Sequence, residues 1–344
     1  MTDFVAEVSA RLKAGQSIEV IGAGSRRRVG PPRSAHAIST RSHSGVIRYE
    51  PTELVLTANA GTPLADIEAM LAAERQMLAF EPPRFSADST LGGAVASGLA
   101  GPRRVAMGGI RDHILGVRLI NGLGEHLRFG GEVMKNVAGF DVSRLQVGAF
   151  GQLGVLTEVS IKVLPVPEVE ETRHFQCGAE DALAHDQAWG RQPLPISASH
   201  WREGSLFVRV SGTERGVTAA VKTLGGDAVT AVQTLWQGVR DLTDSIFSPD
   251  EALWRLAVPP TTVAKAFPVR AMDWHGGQRW TTAPAGDLSP FAWAAAVGGH
   301  ARCESLDRPT ATWQQALPAG VARLNERVRR AMDPQSLINP TQQG

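Results

Sequence analysis

TLGGAVASGLAG, residues 90–101, is the stretch from which the fold reads most directly. Its glycines at 92, 93, 98 and 101 stand among small residues and leave too little side-chain bulk for an ordinary core element. Glycine inside a regular element lowers stability by roughly 0.5–1 kcal/mol, so some other group must pack against this backbone. Two readings are open: a ligand lying on the glycines, or a glycine-rich helix pressed closely onto a sheet.

Working outward, a strand over 17–21 runs into IGAGS, residues 21–25, whose glycines let a backbone approach a phosphate with its amides free. As a dinucleotide fingerprint the motif is incomplete. GxGxxG needs glycine at position 27, which is Arg27, and Pro31 with Pro32 forbids the helix that must follow. That excludes an NAD-type site and leaves a pyrophosphate loop or a plain strand-to-strand turn. Downstream, NVAGFDVSRLQVGAFGQLGVLTEVSIKVLP (136–165) sets Gly148, Gly151 and Gly154 ahead of a strand in which Thr157, Val159, Ile161 and Val163 alternate with their neighbours. A backbone this open suits a flat adenine or flavin, or belongs to ordinary loops.

Between these segments, 46–49 and 54–60 read as strands joined by a tight turn, and Leu64, Ile67, Met70 and Leu71 predict a helix over 63–75 with Thr62 as cap and Pro63 in its first turn. Residues 113–120 and 127–130 read as a further strand pair. Pro165 and Pro167, followed by acidic residues, mark a boundary near Pro167. Beyond it, strands over 205–210 and 253–258 flank a helix over 216–224. A basic helix over 321–332 ends at DPQSLINP.

At 344 residues and 43% apolar composition the chain has material for two cores. Thirty-five basic residues against 34 acidic give a net charge of +1, which argues against nucleic acid. Cys177 and Cys303 stand far apart, so a disulfide framework, a zinc site and an iron–sulfur centre are not expected, and the histidines at 174, 185, 200, 275 and 300 lack metal-ligand spacing. No run of eighteen apolar residues occurs and the N-terminus lacks an export signal. The expectation is a cytoplasmic chain, membrane-associated only through partners.

EPTELVLTANAGTPLADIEAML (50–71), EPPRFSADSTLGGAVASGLAGPRR (81–104), residues 110–158 and GGHA (298–301), taken with IGAGS, resemble the FAD-binding subunits of bacterial glycolate oxidase. These belong to the vanillyl-alcohol oxidase, or PCMH-type, superfamily. The resemblance implies an α+β chain: a PCMH-type FAD-binding domain of two α+β subdomains over 1–167, then a smaller, ferredoxin-like α+β domain over 168–344 serving as cap, substrate or interaction domain. It implies FAD contacts at Gly22, Ala23, Gly24 and Ser25 for the pyrophosphate, at Thr90, Gly92, Gly93 and Ser97, then at Gly98, Gly101 and Arg103, and at Gly154 and Val155. Ser25 and Arg26 stand where covalent flavin-binders often carry histidine or cysteine, which implies non-covalent FAD. The implied partners are a larger FAD-linked subunit and an iron–sulfur subunit, the implied substrate a small hydroxy acid. Arg103, Arg104, Arg111 and Lys135 are candidate cations for its carboxylate, and His300, then His113, candidate bases. A stand-alone dehydrogenase and a non-catalytic assembly subunit are the alternatives.

Overall fold

The computed structural model describes residues 3–25, 36–131, 140–247, 251–283, 289–304 and 314–340, and the chain divides into two compact units. The first comprises 1–99, 109–165 and 316–344, the second 100–108 and 166–315. Residues 316–344, read from sequence as part of the second domain, therefore lie in the first unit. Lys135 and Arg26 lie outside the described residues.

In the first unit, helix Phe4–Lys13 is capped by Asp3, whose carboxylate accepts from the Val5 amide at 3.0 Å, and buries Phe4, Val8 and Leu12 at helical spacing. Strand β1 (Ile18–Ile21) pairs in parallel with β2 (His36–Ser39). Strands β3 (Val46–Glu50) and β4 (Val55–Asn59) follow, joined through a 3-10 turn and a left-handed Leu54. Helix Leu64–Ala73 begins one residue later than its sequence suggests. Pro63 holds the cap position, and the Thr62 hydroxyl turns back to donate to the Asn59 carbonyl at 2.7 Å.

The short β5 (Gln76–Met77) precedes helix Leu91–Ser97, which settles the first question about the glycine-rich stretch: it is a helix, with Thr90 accepting from the Gly93 amide at 3.2 Å as its cap. His113 closes a helical turn, Ile110–His113, rather than opening a strand, because Asp112 folds back to accept from the Gly109 amide at 2.8 Å. Strands β6 (Ile114–Ile120), β7 (His126–Gly130), β8 (Val155–Lys162) and β9 (Leu164–Pro165) complete this part of the chain. The main sheet is antiparallel in the order β3-β4-β8-β6-β7, with β8 central and buried on both faces. Two α+β layers, one around the β1–β2 pair and one around this sheet, form the unit.

The second unit is an eight-stranded sheet built from β10 (Val169–Gln176), β11 (Ile196–Arg202), β12 (Ser205–Gly212), β13 (Asp227–Ala228), β14 (Ala252–Ala257), β15 (Ala271–Asp273), β16 (Gln278–Ala283) and β17 (His300–Cys303). Its order is β13-β10-β12-β11-β15-β16-β14-β17. The first four strands, with helices Ala179–Trp189 and Glu214–Leu224 between them, run strand-helix-strand-strand-helix-strand, which is the ferredoxin-like arrangement. Leu206, Val208 and Val210 alternate onto one face and pack on Val217, Ala220 and Leu224 of the second helix.

Gly61 shows how tightly the first unit closes behind β4. A Cβ there would stand 1.8 Å from the Thr40 carbonyl oxygen. Gly61→Ala is expected to destabilise the chain by at least about 1–3 kcal/mol, the usual cost of overpacking, in urea denaturation. Wild-type stability in that variant would contradict the packing described.

Candidate functional site

Where β1 ends, the chain turns through Gly22 to Ser25, and the turn meets the start of helix Leu91–Ser97 at one point. A Cβ on Gly22 would lie 2.3 Å from the Thr90 hydroxyl oxygen, so only glycine admits this approach. Gly24 has φ of +70°, in the left-handed region, and faces open space, with nothing within 4 Å of a Cβ placed on it. The Ser25 and Ser89 hydroxyls, 3.2 Å apart, tie the tip of the first loop to the entry of the second. Gly92 donates to the Ala60 carbonyl at 2.8 Å and lies flat against β4, where a Cβ would stand 2.8 Å from that of Ala60.

The third glycine-rich segment packs on the far end of the same helix. Phe150 donates to Ala96 at 2.8 Å and Gly148 to Val95 at 3.0 Å, and Gly98, left-handed at φ +64°, ends the helix against the Gly148 backbone. The three segments thus enclose one cavity of about 380 Å³, within the range of small-molecule and cofactor sites, roughly 300–1,000 Å³. Gly22, Ala23, Gly24, Ser25, Thr90, Gly92, Gly93, Ser97 and Gly154 all line it. Among the described lining residues Glu19 alone is charged, and none is histidine or cysteine.

Four of the expected contact residues do not line the cavity. Val155 is buried in the core beside Val8 and Ile120, and Gly98 serves the helix end. Gly101 and Arg103 belong to the second unit, where Arg103 is 3% exposed, ion-paired with Glu170 and 3.2 Å from the Ser211 hydroxyl. Arg111 is exposed on the turn Ile110–His113. Of the two candidate bases, His113 is 3% exposed with its ring against Phe80, while His300 is exposed at the start of β17. Although the residue as a whole is exposed, partial desolvation of its ring, and after it Arg255 and Arg302, hold the His300 imidazole below the usual histidine range.

Asn339 was not anticipated. Its amide donates to the Ile18 carbonyl at 2.9 Å, its side-chain oxygen accepts from the Val20 amide at 2.7 Å, and its side-chain NH₂ donates to the Phe150 and Gly151 carbonyls, both at 3.1 Å. One side chain therefore joins the first glycine loop's strand to the third segment, and it lines the cavity. Phe150, itself left-handed at φ +52°, and Phe85 and Pro83 of the EPPRF stretch complete the wall. In sequence the only hint of Asn339 is DPQSLINP, read there as the stop of the last helix, which in the structure ends earlier, at Met332.

Residues 2–130 match the family model described as an FAD binding domain. The glycolate oxidase subunit GlcE of Escherichia coli strain K12 is 40% identical over 336 residues, covering 97% of this chain and 94% of that protein. The chain belongs to the GlcE family of FAD-binding oxidoreductase subunits. FAD is thus the cofactor of this GlcE-family chain, and the glycine-lined cavity fits it: glycines admit the close backbone contacts and open space faces Gly24. The glycolate oxidase subunit GlcD of Bacillus subtilis strain 168 is 35% identical over 118 residues, 34% of this chain and 25% of that protein. Among solved structures, an alkyldihydroxyacetonephosphate synthase superposes with a TM-score of 0.69 at 15% identity, over 98% of this chain and 73% of that one, so the two share a PCMH-type fold.

Asn339→Ala removes three side-chain hydrogen bonds to part-buried backbone, each worth about 0.5–1.5 kcal/mol. A loss of about 2–4 kcal/mol is expected in chemical denaturation. An unchanged midpoint would show that the Asn339 side chain does not hold the cavity walls together.

Proposed function

We propose that this chain is the FAD-carrying subunit of a glycolate-oxidising complex, in which a larger flavin-linked subunit and an iron–sulfur subunit share the work. The observation that carries the reading is the convergence of three glycine-rich segments on one cavity inside a chain that matches GlcE over nearly its whole length. Bound FAD supplies a two-electron acceptor. The first unit holds it: Gly22 to Ser25 present backbone to the pyrophosphate, Thr90, Gly92, Gly93 and Ser97 form the second contact line, and Gly154 lies toward the adenine or ribitol part. The absence of histidine and cysteine from the described lining favours non-covalent binding. The second unit takes the cap, substrate or interaction role.

Oxidising glycolate to glyoxylate removes two electrons and two protons, so the chemistry needs a base for the hydroxyl proton. His300 suits that task better than His113. It is exposed, and its depressed pKa leaves the ring neutral and able to accept a proton at neutral pH. Onward transfer of electrons belongs to the iron–sulfur partner, since the two cysteines here cannot supply the four thiolates an ordinary cluster takes.

Two measurements check this. Purified chain is expected to show the visible flavin bands and to lose them in Gly24→Val and Gly93→Leu; full flavin occupancy in both variants would remove the cavity assignment. In an anaerobic spectrum of the chain with its partner subunits, glycolate is expected to bleach the flavin. Bleaching in the chain alone would instead make it a self-sufficient dehydrogenase, and no flavin under any condition would leave an assembly subunit.

A further inference from the structure

We propose that Arg255 anchors a carboxylate-binding site on the second unit, one that takes a small 2-hydroxy-acid anion with His300 beside it. The proposal rests on the oxidoreductase reading above for its choice of anion. It begins with the register of β14 and β17, in which Trp254 faces Cys303, Arg255 faces Arg302, Leu256 faces Ala301 and Ala257 faces His300. Directly opposed residues share a face. Trp254, Leu256, Ala301 and Cys303 accordingly form one apolar cluster with Phe291, Trp293 and Val297 around helix Ser289–Ala296. Arg255, Arg302 and His300 share the opposite face.

Two arginines directly across a strand pair repel one another, and Glu304 stands between them with a side chain only 3% exposed. It does not serve both equally. The Arg302 Nε donates to Glu304 Oε1 at 2.6 Å, whereas the Arg255 Nε is 3.6 Å from the same oxygen, beyond a hydrogen bond. The second carboxylate that acts on Arg255, Asp273, is already committed. It accepts from His200 Nδ1 at 2.7 Å, from Gln278 Nε2 at 3.0 Å and from Trp280 Nε1 at 2.7 Å.

Among the described residues Arg255 therefore makes no hydrogen bond, although its side chain is only 18% exposed. Burial first, and then Arg302, pull its pKa down to about 10, with Arg104, seated over the Trp274 ring at 4.7 Å, adding to the pull. A half-desolvated guanidinium with unused donors is costly unless an anion completes it, and its fork matches a carboxylate in bidentate fashion. Trp280, opposite Arg255 on β16, walls the position on one side, and among the described residues His300 is exposed beside it on β17.

The test titrates oxalate, a carboxylate that this chemistry cannot oxidise, into full-length flavin-loaded chain, followed by calorimetry and by tryptophan fluorescence. Saturable binding is expected in wild type. Arg255→Met is expected to weaken it by at least about 30-fold and Arg255→Lys, which keeps the charge but not the fork, by about 10-fold. Flavin content is expected to stay at the wild-type level in both. If Arg255→Met fails to fold, the lysine variant decides alone. Wild-type affinity in the variants, or no saturable binding in wild type, would overturn the proposal. Glycolate bleaching, followed in parallel, reports on the oxidation reading alone, so loss of one leaves the other to be judged separately.

Discussion

Asn339 is the constraint on which the first unit depends. Its side chain and amide bind Ile18 and Val20 of β1 on one side and the Phe150–Gly151 turn on the other, across more than 180 residues of sequence. The segment that delivers it is fixed in turn by Asp333, fully buried, whose two carboxylate oxygens accept from the Leu337 and Ile338 amides at 3.0 and 2.8 Å. A Cβ on Gly122 would come within 2.2 Å of that carboxylate, so the β6–β7 connection also yields to the returning chain. Without this return, β1 and the glycine turn after it would lack a fixed distance from the third glycine-rich segment.

The cavity follows from backbone approach rather than from charged side chains. Gly22 against Thr90, Gly92 against Ala60 and Gly154 against Leu119 are each places where a methyl group would collide with a neighbour below 3.0 Å. Such glycines lose folding stability, and what they gain here is a wall of main chain around one volume. A cofactor with a pyrophosphate and two flat ring systems is well matched to such a wall, which needs no Rossmann helix.

Much of this was legible in the sequence because it depends on local rules. The turn at Gly22, the alternation in β8, the last helix and the break near Pro167 each follow from period or from glycine and proline chemistry. TLGGAVASGLAG had two open readings, helix or ligand surface, and the structure makes it both: the helix buries Leu91 and Val95 and lends Gly92, Gly93 and Ser97 to the cavity. What sequence could not give depends on distant partners. Thr62 sits where local spacing suggests a cap, yet its hydroxyl is taken up by Asn59 and by the Gly45 amide seventeen residues away; His113 is an exception, moved from strand to helical turn by the local Asp112–Gly109 bond. Arg103, adjacent to a glycine-rich motif, is taken up by Glu170 and Ser211. Arg255 gave no signal at all, since its meaning arises only from the strand register that places it opposite Arg302.

The second unit packs both faces of its sheet: helices Ala179–Trp189 and Glu214–Leu224 cover one, while on the other Trp236 lies over Arg209 and a buried cluster forms around Phe247, Leu253 and Trp280. The central claim, that the glycine-lined cavity of the first unit is the FAD site, is tested most directly by a crystal structure of the flavin-loaded chain. The account predicts pyrophosphate density against the backbone of Gly22 to Ser25 and of Gly92 and Gly93. Flavin density anywhere else, with this cavity holding only solvent, would contradict it.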